Sequence, residues 1–167
     1  MSAPFVFPSD VQVLGTLTAF QINVPLGAIV DSMISGSANI AATKVQKQFQ
    51  ENYTNADSAT TAVSETRVIH AVRGATGTLV EFAAGAVVPL VGADTCTLDL
   101  LKNGTTMLAA PISLLNTDTA RLIKFAGLAS NTLVAGDVLE VRVSPTHTSG
   151  TLPKGVFARV TVREDAP

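Results

Sequence analysis

Apolar and polar residues alternate with a period of two over much of the chain from Thr66 to Arg163. Successive side chains of a strand point to opposite faces, so this alternation predicts strands with one face on a core. The clearest cases come late in the chain. In Val138–Val143, Leu139, Val141 and Val143 face one way and Glu140 and Arg142 the other. In Val156–Arg163, Val156, Ala158, Val160 and Val162 share a face opposite Phe157, Arg159, Thr161 and Arg163. Glu164 to Pro167 read as a short acidic tail. Further strands are predicted over Thr66–Val72, Thr78–Ala83, Ala86–Val91, Thr95–Leu101, Thr105–Ala110 and Arg121–Ala126. Pro89 marks an edge, because proline cannot donate to a sheet ladder.

Glycine-rich turns separate these runs at roughly the 8–12 residue spacing of a sandwich or barrel. Asn103-Gly104 is the strongest local signal. Both residues of a two-residue hairpin turn need φ > 0, which asparagine and glycine tolerate best. About eight strands without βαβ spacing predict a mainly β fold, an antiparallel sandwich of jelly-roll-like form.

The N-terminal part is patterned differently. Pro4 and Pro8 exclude a regular helix over residues 1–16, while Phe5, Val6 and Phe7 are too apolar for a solvated tail. This segment reads as an extended arm that packs either on its own domain or on a neighbour. Leu17–Val24 is a candidate strand. From Ala38 to Asn52, Ala38, Ala41, Ala42, Val45 and Phe49 recur at helical spacing after a possible cap at Ser37. The expected helix either lies on its own sandwich or meets its copies around a symmetry axis. Tyr53 to Ser64 reads as a polar linker. The expected division is residues 1–62 for attachment and oligomerisation, and 63–167 for a β-sandwich knob.

Composition sharpens this picture. Charged residues make up 14% of the chain, against about 25% in ordinary globular domains, and 47% are hydrophobic. So few charges leave surface that is expected to meet another protein. A net charge of −2 without any basic run gives no footprint for nucleic acid. The apolar stretch Phe82–Ala93 is broken by Gly85 and Pro89, far short of the roughly 20 residues of a membrane helix. The N-terminus lacks the basic and apolar regions of a secretory signal, so synthesis in a reducing cytoplasm is expected. Cys96 is the one cysteine and shares a face with Leu98 and Leu100, which predicts a small buried hydrophobe.

Candidate chemistry is sparse. His70 sits in the middle of a predicted strand and is expected to be a hydrogen-bonded strand residue. His147 sits in a loop and is expected to be solvated. Asp94, Asp99, Asp118 and Asp137 lack the alternation of a calcium loop, with Asp137 in a turn and Asp99 pointing outward. Glu81 and Glu140 are lone strand carboxylates. Gly74 to Gly77 lacks the ending of a phosphate loop and reads as a hairpin turn. No catalytic residue, cofactor or metal is expected.

The segments Thr66–Val72, Leu98–Gly104 through Leu108–Ile112, and Leu133–Val143 together resemble modules in virion proteins of tailed phages, the capsid cement (decoration) and head-fibre proteins. The likeness is one of strands and turns in the β region; the N-terminal part matches nothing. The resemblance implies a trimeric knob on the capsid exterior, bound to the major capsid protein. It carries over no catalytic residue. Phe5, Val6, Phe7, Ala38, Ala41, Ala42, Val45 and Phe49 are then the expected capsid or oligomer contacts. The alternative is a fibre module that binds host-surface glycan through loops such as Arg73–Gly77 and Thr146–Gly150. A polysaccharide-cleaving enzyme is a weaker rival, because the chain is short and has no acid cluster.

Overall fold

In the computed structural model, which describes residues 47–55 and 59–165, strands account for all the regular structure. They are β1 (Lys47–Thr54), β2 (Glu65–Ala71), β3 (Thr76–Val88), β4 (Val91–Gly92), β5 (Thr95–Lys102) and β6 (Thr105–Thr106). β7 (Ile112–Leu114), β8 (Lys124–Phe125), β9 (Thr132–Val134), β10 (Val138–Thr146), β11 (Gly150–Thr151) and β12 (Lys154–Glu164) complete the order.

One sheet runs β1-β12-β3-β8, with β9 also on β3. The other runs β2-β10-β5-β6, with β7 also on β5. Every pairing is antiparallel, including the small β4–β11 ribbon. The order follows from one long ribbon. β1 pairs with β12, β2 with β10, β3 with β8 and β9, and β5 with β6 and β7. Winding that ribbon on itself gives β12 a second neighbour in β3, and β10 a second neighbour in β5. This is the jelly-roll wrap, and the fold is a mainly β antiparallel sandwich.

The core lies between the two sheets. The predicted inner faces are buried: Val156, Ala158, Val160 and Val162 from β12; Leu139, Val141 and Val143 from β10; Cys96, Leu98 and Leu100 from β5. β3 adds Leu79, Phe82, Ala84 and Ala86, and β1 adds Tyr53. Full burial of each aliphatic side chain contributes about 1.5–3 kcal/mol, so the match of face to core sets the register. Burial also pushes the Cys96 thiol up to about 12, which keeps it protonated and inert.

Two bulges break the alternation. Leu139 pairs with His70 but Glu140 with Val68, so Ile69 is an extra residue on β2. Thr161 pairs with Glu81 but Val162 with Leu79, so Val80 is extra on β3. At a bulge, neighbouring side chains can share a face. Ile69 and His70 thus both turn toward the sandwich interior, while Val68 is exposed.

The Asn103-Gly104 turn forms as expected, with φ of 50° and 82° and with Lys102 paired to Thr105. Its side chain does more than turn the chain. Asn103 Nδ2 donates to Asp137 Oδ1 at 2.7 Å, and Asn103 Oδ1 accepts the Val138 N–H at 2.9 Å. Asp137 also accepts the Val134 N–H at 2.9 Å, closing the β9–β10 turn.

Several expectations need correction. Residues 47–52 were expected at the end of a helix; they belong to β1, hydrogen-bonded along β12. The helical spacing counted Phe49 with the alanines before it. In the fold Phe49 instead alternates with Glu51 and Tyr53, opposite Val162, Val160 and Ala158, and sheet pairing overrides local helix preference. The predicted linker 53–64 is anchored rather than free: Tyr53 and Ala62 are buried, and Thr61 bridges to Lys154. The two strands predicted over Thr78–Val91 are mostly one long β3. The strands predicted over Thr105–Ala110 and Arg121–Ala126 shrink to β6 and β8. The arm, the Leu17–Val24 strand and Phe5, Val6, Phe7, Ala38, Ala41, Ala42 and Val45 lie outside the described residues.

Candidate functional site

β1 and β2 are the edge strands of the two sheets, and they lie on the same side of the sandwich. Between them, at the end where β12 finishes, opens a cleft of about 520 Å³. β1 contributes Lys47, Phe49 and Glu51, and β2 contributes Ile69, His70 and Ala71. The turn after β2 adds Arg73 and Gly74, and the end of β12 adds Glu164 and Asp165.

Glu164 is the keystone. It continues the inner face of β12 after Val160 and Val162, so strand geometry turns its carboxylate inward. Its Oε2 accepts the N–H groups of Arg73 at 3.1 Å and Gly74 at 2.8 Å, and its Oε1 lies 2.6 Å from His70 Nε2. Burial alone would raise the Glu164 carboxyl. The His70 ring and the two backbone donors outweigh it and hold the group below the usual carboxylate range. Gly74 permits this approach: a Cβ there would sit 2.2 Å from the Asp165 carbonyl oxygen.

His70 joins both sheets. Its Nδ1 lies 3.4 Å from Glu51 Oε1 on β1, while Nε2 meets Glu164. Both contacts attract only when the ring carries both protons. The side chains of His70 and Glu164 are only 8% and 4% exposed. The Phe49 ring leans on the imidazole, with centroids 5.4 Å apart and planes tilted by 44°. Glu51, His70 and Glu164 thus tie β1, β2 and β12 together across the open edge.

A second cluster lies further along the same edge. The Tyr53 hydroxyl donates to the Glu65 carboxylate, which also receives Arg67 Nη2 at 3.1 Å. The Arg67 guanidinium sits 5.0 Å over the Tyr53 ring, and its Nη1 donates to the Thr54 carbonyl at 3.2 Å. Burial, followed by the Glu65 contacts, raises the Tyr53 phenol well above its ordinary value.

The other candidates are dispersed. His147 is exposed at its ring, as expected, but its Nδ1 is 2.8 Å from the buried Asp94. Burial raises the Asp94 carboxyl; the Thr148 N–H and His147 outweigh it and lower it overall. Asp94 thereby pins the Thr146–Gly150 loop. Asp99 faces away from the core as predicted, yet it is buried there by Arg142 Nη2 at 2.8 Å and Thr106 Oγ1 at 2.6 Å. Asp118 pairs with Lys124 at 3.0 Å. Glu81 pairs with Arg159 at 2.7 Å on the first sheet, and Glu140 sits on the second sheet, so the two are not brought together. Among the described residues no group of three histidine, cysteine or acidic side chains could hold a metal ion.

The outer face of the first sheet is the other distinctive surface. Phe125 on β8 is 63% exposed and Ile123 45%. Ile123 and Phe157 border a shallow groove of about 300 Å³ that runs over Ala83 toward Asn52 and Thr54 on β1.

Sequence reasoning missed Glu164, read as tail, and Glu51, read as helix. A usable signal was present for Glu164: the Val156-to-Val162 alternation extends to it by one more step. Phe49, expected on a helix as a capsid or oligomer contact, sits on β1 and lines the cleft. No known protein family matches the chain, and no curated protein is similar to it.

Proposed function

We propose that the chain is a structural virion protein that decorates and stabilises a phage capsid as a trimer, held by the major capsid protein. The observation that carries this reading is the exposed apolar strip of Ile123 and Phe125 on the outer face of the first sheet. In a chain with only 14% charged residues, such a strip is a surface for another protein. The jelly-roll sandwich supports the same reading, since its hydrogen-bonded framework presents loops and faces without needing a cofactor. The likeness of the strand-and-turn pattern to capsid cement modules adds to it.

The test is native mass measurement of the full chain, followed by co-sedimentation with capsid shells. A trimer that sediments with shells is expected, and the Ile123→Asp/Phe125→Asp variant loses shell binding while keeping its melting temperature. A stable monomer, or undiminished shell binding by that variant, overturns the reading.

A further inference from the structure

We propose that the cleft between β1, β2 and the end of β12 binds an acidic saccharide, a sugar ring bearing a carboxylate. This goes beyond the structural role and does not depend on it. Most polar groups of the cleft are already committed to one another. Glu164 is saturated by His70 and by the Arg73 and Gly74 N–H groups. Both nitrogens of His70 face carboxylates. These groups build the floor and have nothing left to offer a ligand.

Asp165 also lines the cleft and accepts the Thr76 hydroxyl at 2.5 Å, which leaves two cations to account for. Among the described residues Lys47 and Arg73 line the cleft with no acidic partner for their side chains. Arg73 is also held at its backbone by Glu164, so its guanidinium projects from a fixed point. The guanidinium fork matches a carboxylate with two parallel hydrogen bonds. Glu51 is 37% exposed and keeps one carboxylate oxygen clear of His70, an acceptor for a hydroxyl. Phe49 and Ile69 supply apolar wall for the C–H face of a ring. A carboxylate for the cations, hydroxyls for Glu51 and an apolar ring face together describe an acidic sugar. A nucleic acid would need many more phosphate contacts than two cations offer. A purely apolar ligand would leave both charges desolvated and unpaired.

The experiment uses the full chain with ¹³C-labelled isoleucine and alanine methyls, titrated with the methyl glycosides of galacturonic acid and N-acetylneuraminic acid. Methyl galactoside and sodium acetate are the controls. The Ile69 and Ala71 methyl signals are expected to shift with at least one acidic sugar, at least about tenfold more tightly than with either control. Arg73→Gln and Lys47→Gln, each melting like the parent, are expected to weaken that response. Equal response to methyl galactoside or acetate overturns the proposal, as does silence of both methyl signals with both acidic sugars. Undiminished binding by both variants overturns it too. Shell co-sedimentation reads the structural role separately, so either can fail alone.

Discussion

The Asn103–Gly104 end and the β1–β2 edge close the same sandwich with similar chemistry at different chain distances. At the turn, Asn103 and Asp137 tie β5 to the β9–β10 connection across 34 residues. At the edge, His70 and Glu164 are 94 residues apart, and a third strand must arrive before Glu51 can join them. The first device needs only the pairing of β5 with β10 inside one sheet. The second exists only once both sheets have formed, so it should report on sheet-to-sheet closure.

Acid should produce the largest effect, because it reaches both regions. Glu164 and Asp137 are both held below the ordinary carboxylate range. For Asp137 the main cause is the Val134 N–H, with burial opposing it. A lowered folded-state value means the stabilisation is complete above the unfolded value near 4 and is lost as pH falls through the folded value. Denaturant midpoints should therefore fall steeply below about pH 4. A midpoint that holds or rises as the pH falls below about 4 would break the assignment for both regions.

Next comes Glu164→Ala, which leaves the Arg73 and Gly74 N–H groups and His70 without their acceptor. A loss of about 3 kcal/mol is expected, read by urea unfolding. In a double-mutant cycle with His70→Gln the two losses should be clearly non-additive. Additive losses would mean that the edge is not a coupled unit.

Asn103→Ala should cost less, about 2 kcal/mol, from two lost hydrogen bonds and an alanine forced to positive φ. Hydrogen exchange should then quicken at Val138, whose N–H loses its acceptor, while the Arg73 and Gly74 amides stay protected. Faster exchange spreading to Gly74 would erase the distinction between the two regions.

The difference also explains what could be read in advance. β5, β10 and β12 carry long uninterrupted alternation, and their buried faces were legible residue by residue. Asn103-Gly104 was legible because its turn type depends on two adjacent residues. The edge was not. Phe49 fits helical spacing with Ala38 to Val45 as well as it fits a strand with Tyr53, and only pairing with β12 separates the two. Ile69 and His70 would sit on opposite faces in a regular strand, and the bulge against β10 puts both inward. Asp99 was correctly assigned to the outer face, but its burial depends on Arg142 from another strand. For the candidate site, His70 was recognised as a bonded strand residue, whereas its partners were assigned to a helix and a tail.

By itself the sequence determined a mainly β chain, the inner faces of its longest strands and the position of its tightest turn. Each depends on backbone preference or on period-two alternation, which act over a few residues. The tertiary structure decided that β1 is a strand, that Glu164 points inward and that three strands meet at His70. Those outcomes depend on cross-strand register and bulges, set by packing between segments far apart in the chain.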